Sequence, residues 1–188
     1  IIDLLQYGKE MYTLTEGTVN IAMGAVLSIW HDYREAGVAV PSINLLQDAS
    51  KHTDINDLII DDDNNTVYLS DSEMSLDVGA IAKGFATERV AEDAYNAGFT
   101  SGILSVGGNI KAIGSPQDES KSTWGIGIQD PDNVNTVFDT VYINNASLVT
   151  SGDYERFYMV DGVKYCHIID ASTLMPATQF RSVTVMTE

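Results

Sequence analysis

Apolar positions recur at helical spacing near the start of the chain and at strand spacing later. Val19, Ala22, Met23, Val26, Ile29, Trp30 and Tyr33 predict a helix over Thr15–Glu35. Thr15 or Thr18 is the expected cap, and Gly37 the stop. Residues 1–12 read as the end of an earlier helix, and Ser42–Ala49 as a short one after the Val40-Pro41 connector. The pattern then shortens. Leu58–Ile60 and Thr66–Leu69 predict two strands around the polar run Asp61–Asn65. A helix is expected over Ile81–Ala97, with Ile81, Phe85, Ala86, Val90, Ala94 and Tyr95 as its apolar face and Gly98 as its stop.

Strands dominate the remainder of the chain: Ser101–Val106, Ile110–Ile113, Trp124–Ile128, Thr136–Asn144 and Ser147–Thr150. Asp161-Gly162 between Phe157–Val160 and Val163–Tyr165 is a strong two-residue hairpin signal. The expected class is α+β, with mixed, largely antiparallel sheets and a few packed helices. With 188 residues the chain can form one large domain or two small intertwined ones; one domain over 1–188 is the working expectation. The chain begins at Ile1 without Met and ends in an incomplete strand, Val183–Met186, so truncation at both ends is expected.

Composition narrows the function classes. A formal net charge of −17 argues against nucleic acid as the main partner, because phosphate backbones demand clustered Lys and Arg. It also means that an anionic ligand needs local positive charge from a metal, a lysine or helix N-termini. The acidic run Asp61–Asn65 does not make a calcium loop: Thr66 stands where the loop needs glycine, and Ser72 where it needs glutamate. A solvated hairpin turn is expected there. Cys166 is the only cysteine, so no intrachain disulfide is possible, and a buried small hydrophobe is the expected role.

Four stretches carry candidate chemistry. In Asp77–Gly84 a glycine-bearing turn leads into a helix whose first amides can meet an anion. Lys83 opposes the helix dipole in the first turn; it either meets an anionic ligand or reaches into solvent. Gly107-Gly108-Asn109 is a tight turn that also permits close approach of a ligand to the backbone. Thr150–Arg156 contains a Ser151-Gly152-Asp153 turn, with Arg156 either forked onto an anion or paired to an acid such as Glu155 or Asp153. His167, Asp170, Ser172 and Thr173 end a strand in an oxygen-rich turn. Asp170 and the Thr173 hydroxyl suit Mg²⁺, and His167 suits a general base; the alternative is a turn cap and a packed imidazole.

Taken in order, DVGAIAKGFA, SVGGNI, TSGDYERF and YCHIIDASTLMP resemble the ApbE family, the FAD:protein FMN transferases. The family patterns are D-x-G-x-I-A-K-G-Y/F-A, N-x-G-G-D/N, S-G-x-Y-x-R and H-I/L-I/L-D-P-x-T-G-x-P. Thr15–Asn20 is similar to the family's S-E-G-A-F-D segment. Three positions depart from the patterns: Ser105 for asparagine, Ala171 for proline and Leu174 for glycine.

The resemblance implies an ApbE-like, T-fold-like architecture. It implies an enzyme that cleaves FAD, transfers FMN to a Thr or Ser hydroxyl of a target protein and releases AMP, with Mg²⁺ required. Asp77, Lys83, Ser105, Gly107, Gly108, Asn109 and Ser151 are the implied FAD-contacting positions. Ala80 (through its carbonyl), Asp170 and Thr173 are the implied metal ligands, and His167 with Asp170 the implied catalytic pair. Implied partners are FAD and an acceptor such as a flavinylated subunit of a membrane redox complex. The implied location is extracytoplasmic, as a lipoprotein held to the membrane by an anchor outside this chain. Two alternatives stay open: a Mg²⁺-dependent FAD pyrophosphatase giving FMN and AMP, and a non-catalytic flavin-binding protein.

Overall fold

The computed structural model describes residues 1–188. The chain forms two compact units that alternate along the sequence: the first comprises 1–81 and 155–179, the second 82–154 and 180–188.

The first unit opens with helices α1 (Ile2–Leu14), α2 (Gly24–Ala36) and α3 (Ile43–Ala49). The single helix expected over Thr15–Glu35 is therefore corrected: α2 begins nine residues later. Glu16 and Gly17 adopt positive φ (51° and 84°), which a continuing right-handed helix forbids. Thr15 closes α1 instead of capping α2. Its hydroxyl donates to the Met11 carbonyl at 2.7 Å and accepts from the Val19 amide at 2.9 Å. Gly37 ends α2 in the left-handed region, as the sequence pattern anticipates.

Strands β1 (Leu58–Asp61) and β2 (Thr66–Leu69) pair antiparallel. Asp61 caps their polar turn, its carboxylate accepting from the Asn64 amide and side chain. This is the solvated hairpin turn expected of the acidic run. The unit's remaining hairpin joins two strands at 157–160 and 163–166, with Asp161 and Gly162 both at positive φ as a two-residue primed turn requires. Two apolar clusters hold the unit together. Leu5, Ile21, Ala22, Ile55, Leu58, Met74 and Ile81 form one; Met23, Val26, Trp30, Leu46 and Tyr158 form the other. Burying each large aliphatic side chain contributes about 1.5–3 kcal/mol before entropy is counted.

The second unit holds α4 (Ala82–Asn96) and strands β3 (Gly102–Val106), β4 (Asn109–Ile113), β5 (Trp124–Gln129), β6 (Val137–Ile143) and β7 (Ser147–Gly152). The 157–160 and 163–166 strands of the first unit are β8 and β9, and Ser182–Thr187 is β10. One antiparallel sheet runs in the order β10-β7-β4-β3, and β5 pairs with β6 in a separate ribbon. Ala112, Ile143, Ala146 and Leu148 form the core. The apolar face expected for α4 is corrected. Its buried positions are Thr87 and Ala91, whereas Val90 and Tyr95 are exposed. Small side chains let the helix lie close to β4, where Lys111 pairs with Glu88 at 2.8 Å.

Candidate functional site

The turn after β9 is built around one carboxylate. Asp170 Oδ1 accepts from the Ser172 hydroxyl at 2.6 Å, the Ser172 amide at 2.8 Å and the Thr173 amide at 3.4 Å. These donors, Ser172 first, hold the Asp170 carboxyl below the usual carboxylate range, so it is an anion at neutral pH. The backbone closes over it: the Leu174 amide donates to the Asp170 carbonyl at 2.8 Å, and the Asp170 amide to the Met175 carbonyl at 2.9 Å. Asp170 and Thr173 both line a cavity of about 340 Å³, together with Lys164, Tyr165 and Gln179. Ala171, Ser172 and Leu174 face a second cavity of about 390 Å³, shared with Asn20, Gln47 and Thr53. The turn is the wall between the two.

Leu174 completes this turn at φ 61°, a conformation that costs a branched side chain about 1–2 kcal/mol. Two interactions offset the cost. Its side chain packs in the cluster around Trp30, and its carbonyl accepts from the Trp30 indole N–H at 2.9 Å. Trp30 is 4% exposed and stacks on Tyr165, with ring centroids 6.1 Å apart. Sequence reasoning places Trp30 in the core, which is correct, but misses this bond. No local pattern reports a partner 144 residues away.

His167 follows β9 directly. Its amide donates to the Arg156 carbonyl at 3.0 Å, and its Nδ1 lies 3.3 Å from the same oxygen. A proton on Nδ1 would satisfy that carbonyl.

The Asp77–Gly84 segment is held by its own backbone. Asp77 Oδ1 accepts from the Gly79 amide at 2.7 Å, and the Asp77 amide donates to the Ile21 carbonyl at 2.8 Å. Upstream, the Gly24 amide donates to the Ser75 carbonyl at 3.1 Å. A Cβ on Gly24 would lie 2.5 Å from that oxygen, so only glycine permits the approach. Asp77, Gly79 and Ala80 are all exposed. Ala80 belongs to the same unit as the Asp170 turn.

In the second unit, Lys83 Nζ donates to the Gly107 carbonyl at 2.8 Å. Its first-turn position is explained by neither solvent alone nor a ligand alone: the ammonium caps the glycine turn between β3 and β4. Gly107 and Gly108 take positive φ (49° and 88°), and Gly108 passes close to the Thr150 carbonyl. Asn109 is 8% exposed and pairs across β4–β7 with Val149. Ser105 is exposed on β3, one pair from the turn. Lys83, Gly107, Gly108 and Asn109 are thus brought together, with Ser105 beside them.

Ser151 and Gly152 do not form the expected turn. They extend β7 and pair with Val183 and Ser182 of β10. The turn begins at Asp153, whose carboxylate takes Arg181 Nε at 2.9 Å, an ion pair that no sequence pattern signals. Arg181 also reaches Asp132 at 2.7 Å, which ties the loop after β5 to the end of β7.

The donor set of the Asp170 turn fits a hard cation. It offers a charged carboxylate and a neighbouring hydroxyl, and Asp170 Oδ1 carries the turn's internal hydrogen bonds. The molecule contains no cluster of three or more His, Cys, Asp or Glu side chains spaced to hold a metal. A cation held here would rely on one carboxylate with neutral oxygens and water, a donor set that suits Mg²⁺.

The model of the ApbE family matches residues 1–188. The FAD:protein FMN transferase of Treponema pallidum (strain Nichols) is 34% identical over 182 residues, 90% of this chain and 50% of the relative. That of Klebsiella pneumoniae (strain 342) is 29% identical over 188 residues, 99% of this chain and 57% of the relative. The crystal structure of the ApbE protein from Thermotoga maritima superposes with a TM-score of 0.89 at 34% identity, covering 100% of this chain and 60% of that one. The flavin transferase ApbE from Vibrio cholerae gives 0.75 at 28% identity, covering 98% and 58%. The chain spans about half the length of the curated relatives it matches.

Proposed function

The chain belongs to the ApbE family, and on that premise we propose that it carries the transfer chemistry of a Mg²⁺-dependent FAD:protein FMN transferase. The observation that carries the reading is the Asp170 turn, an ionised carboxylate beside the Thr173 hydroxyl on a cavity wall. In the reaction, a Thr or Ser hydroxyl oxygen of the acceptor attacks the FMN-side phosphorus of FAD. The bond from that phosphorus to the bridging oxygen breaks, and AMP leaves with the oxygen. His167 takes the hydroxyl proton as the general base. Asp170, Thr173 and the Ala80 carbonyl would hold Mg²⁺, which when bound offsets negative charge on the pyrophosphate. Within the second unit, Lys83 and the Gly107–Asn109 turn are the candidates to offer positive charge and backbone to an anionic nucleotide, with Ser105 and Ser151 beside them; Asp77 is the candidate of the first unit.

The acceptor is proposed to be a subunit of a membrane redox complex, and the site of action the outer side of the cytoplasmic membrane, through an anchor outside these residues. Protease treatment of intact spheroplasts tests the location: full-length protein that resists digestion overturns it.

The activity test is direct. Full-length protein is incubated with FAD, Mg²⁺ and a candidate acceptor, and flavin fluorescence is read on a denaturing gel. Fluorescence that stays with the acceptor supports the transferase. Free FMN and AMP without linked flavin make the protein a pyrophosphatase, and intact FAD after long incubation rules out both.

A further inference from the structure

We propose that Trp30 is a positioning residue for the cation-binding turn: its indole N–H holds the Leu174 carbonyl and so fixes Asp170 and Thr173 in their receiving conformation. The inference rests on the metal reading of the Asp170 turn and extends it to a residue on α2, distant in sequence.

Leu174 sits at φ 61°, where glycine is at ease and leucine is not. Left alone, a leucine relaxes toward the ordinary helical or extended regions. That relaxation swings the peptide on either side. The Leu174 amide is one of the bonds closing the turn, to the Asp170 carbonyl, and the next residue's carbonyl accepts from the Asp170 amide. Relaxation of Leu174 therefore opens both backbone bonds that orient Asp170. The Met175 amide also donates weakly to Thr173 Oγ1, at 3.4 Å, so the second ligand moves with the first.

Trp30 opposes this movement from a rigid base. Its ring is buried on α2, stacked on Tyr165, whose ring centroid lies 5.6 Å from that of Tyr158. The indole cannot follow a moving carbonyl without breaking that stack. Its N–H is a donor only, and buried at this site it has the Leu174 oxygen as its partner. The bond thus fixes the one peptide of this turn whose conformation the sequence leaves unfavourable. The hydroxyl and amide of Ser172 complete the bracing from the other side.

Trp30→Phe tests this, since it keeps an aromatic ring and removes the N–H. Amide hydrogen exchange of the full-length protein reads the turn directly. Exchange at Leu174 and Asp170 is expected to rise about tenfold, while the Gly37 amide at the end of α2 is unchanged. Mn²⁺ binding, followed by electron paramagnetic resonance in the presence of FAD, is expected to weaken about tenfold, the lower end of the effect of losing an outer partner of a metal ligand. Adding Leu174→Gly to Trp30→Phe is expected to recover most of the Mn²⁺ affinity, because glycine holds φ 61° unaided.

Unchanged exchange at Leu174 and Asp170 overturns the proposal, as does a double variant no better than Trp30→Phe. Accelerated exchange throughout α2 as well overturns it too, since that reports general unfolding. Wild-type protein that binds no Mn²⁺ instead sinks the metal reading on which the proposal depends, and the exchange data separate the two failures.

Discussion

His52 Nδ1 lies 2.7 Å from Asp71 Oδ2, joining the helical turn after α3 to the segment after β2. Its Nε2 faces Glu73 at 3.2 Å, and Lys51 is the one cation acting against it. The Asp71 hydrogen bond, with the two carboxylates' charge, raises the imidazole above its ordinary 6.5. The Asp71 carboxyl is correspondingly held low, by the Glu73 amide first and His52 second. A raised histidine stabilises the fold fully below its unfolded pKa and loses that contribution as pH rises through the folded value. Melting temperature is therefore expected to fall as pH rises from about 6 to about 9. His52→Gln should flatten that slope in circular-dichroism melts; an equal slope in both proteins excludes the pair as its source.

Asp170 gives the opposite sign. Its carboxyl is depressed by Ser172, so its contribution is present above the ordinary carboxylate value of 3.8 and fades as pH drops through the lower folded value. Asp170→Ala should abolish Mg²⁺-dependent flavin transfer and free the Ser172 hydroxyl from its partner. Retained Mg²⁺-dependent turnover would refute the metal assignment.

Lys83→Met keeps the stem and removes the charge. A hydrogen bond to a charged group contributes about 1.5–3 kcal/mol at a desolvated site. FAD affinity, read by quenching of flavin fluorescence, is expected to weaken about 10- to 100-fold. Lys83 is exposed, so the melting temperature should shift little. Unaltered FAD affinity removes Lys83 from the nucleotide site.

Gly24→Ala places a methyl group against the Ser75 carbonyl, 2.5 Å away before relaxation. Overpacking of this kind costs about 1–3 kcal/mol. The expected drop is roughly 2–4 °C in melting temperature per kcal/mol. The backbone path into Asp77 shifts with Ser75, so FAD affinity should fall with stability. A variant as stable as the parent means that Ser75 can retreat from α2 without cost.

Local chemistry is readable where it is self-contained. Asp161-Gly162 specifies its own hairpin, Gly37 its own helix end, and Asp61–Asn65 a polar turn, because the residues that form each bond are neighbours. The start of α2 is misread because Val19, Ala22 and Met23 keep helical spacing while Glu16 and Gly17 break the path. Burial on α4 is misread for the converse reason: Thr87 and Ala91 are buried by close approach to β4, which no hydropathy pattern ranks above Val90. At the site, Asp170 and Thr173 announce themselves as oxygen donors. Lys83 is legible as an unusual cation, but its Gly107 partner is not. Trp30–Leu174 and Arg181–Asp153 are illegible, since each joins residues far apart in sequence.

The alternation of the two units along the chain sets an order of events during synthesis. The cluster around Trp30 needs Tyr158, and the bond that restrains its indole needs Leu174, so neither can form until those residues have been made. Residues 82–154 are complete before then and wait only for β10. Until residue 174 emerges, α2 carries an unclosed apolar face. The first unit therefore keeps apolar surface open while all of 82–154 is made, and the second stays without its edge strand until β10 follows, the kind of interval in which misassociation occurs.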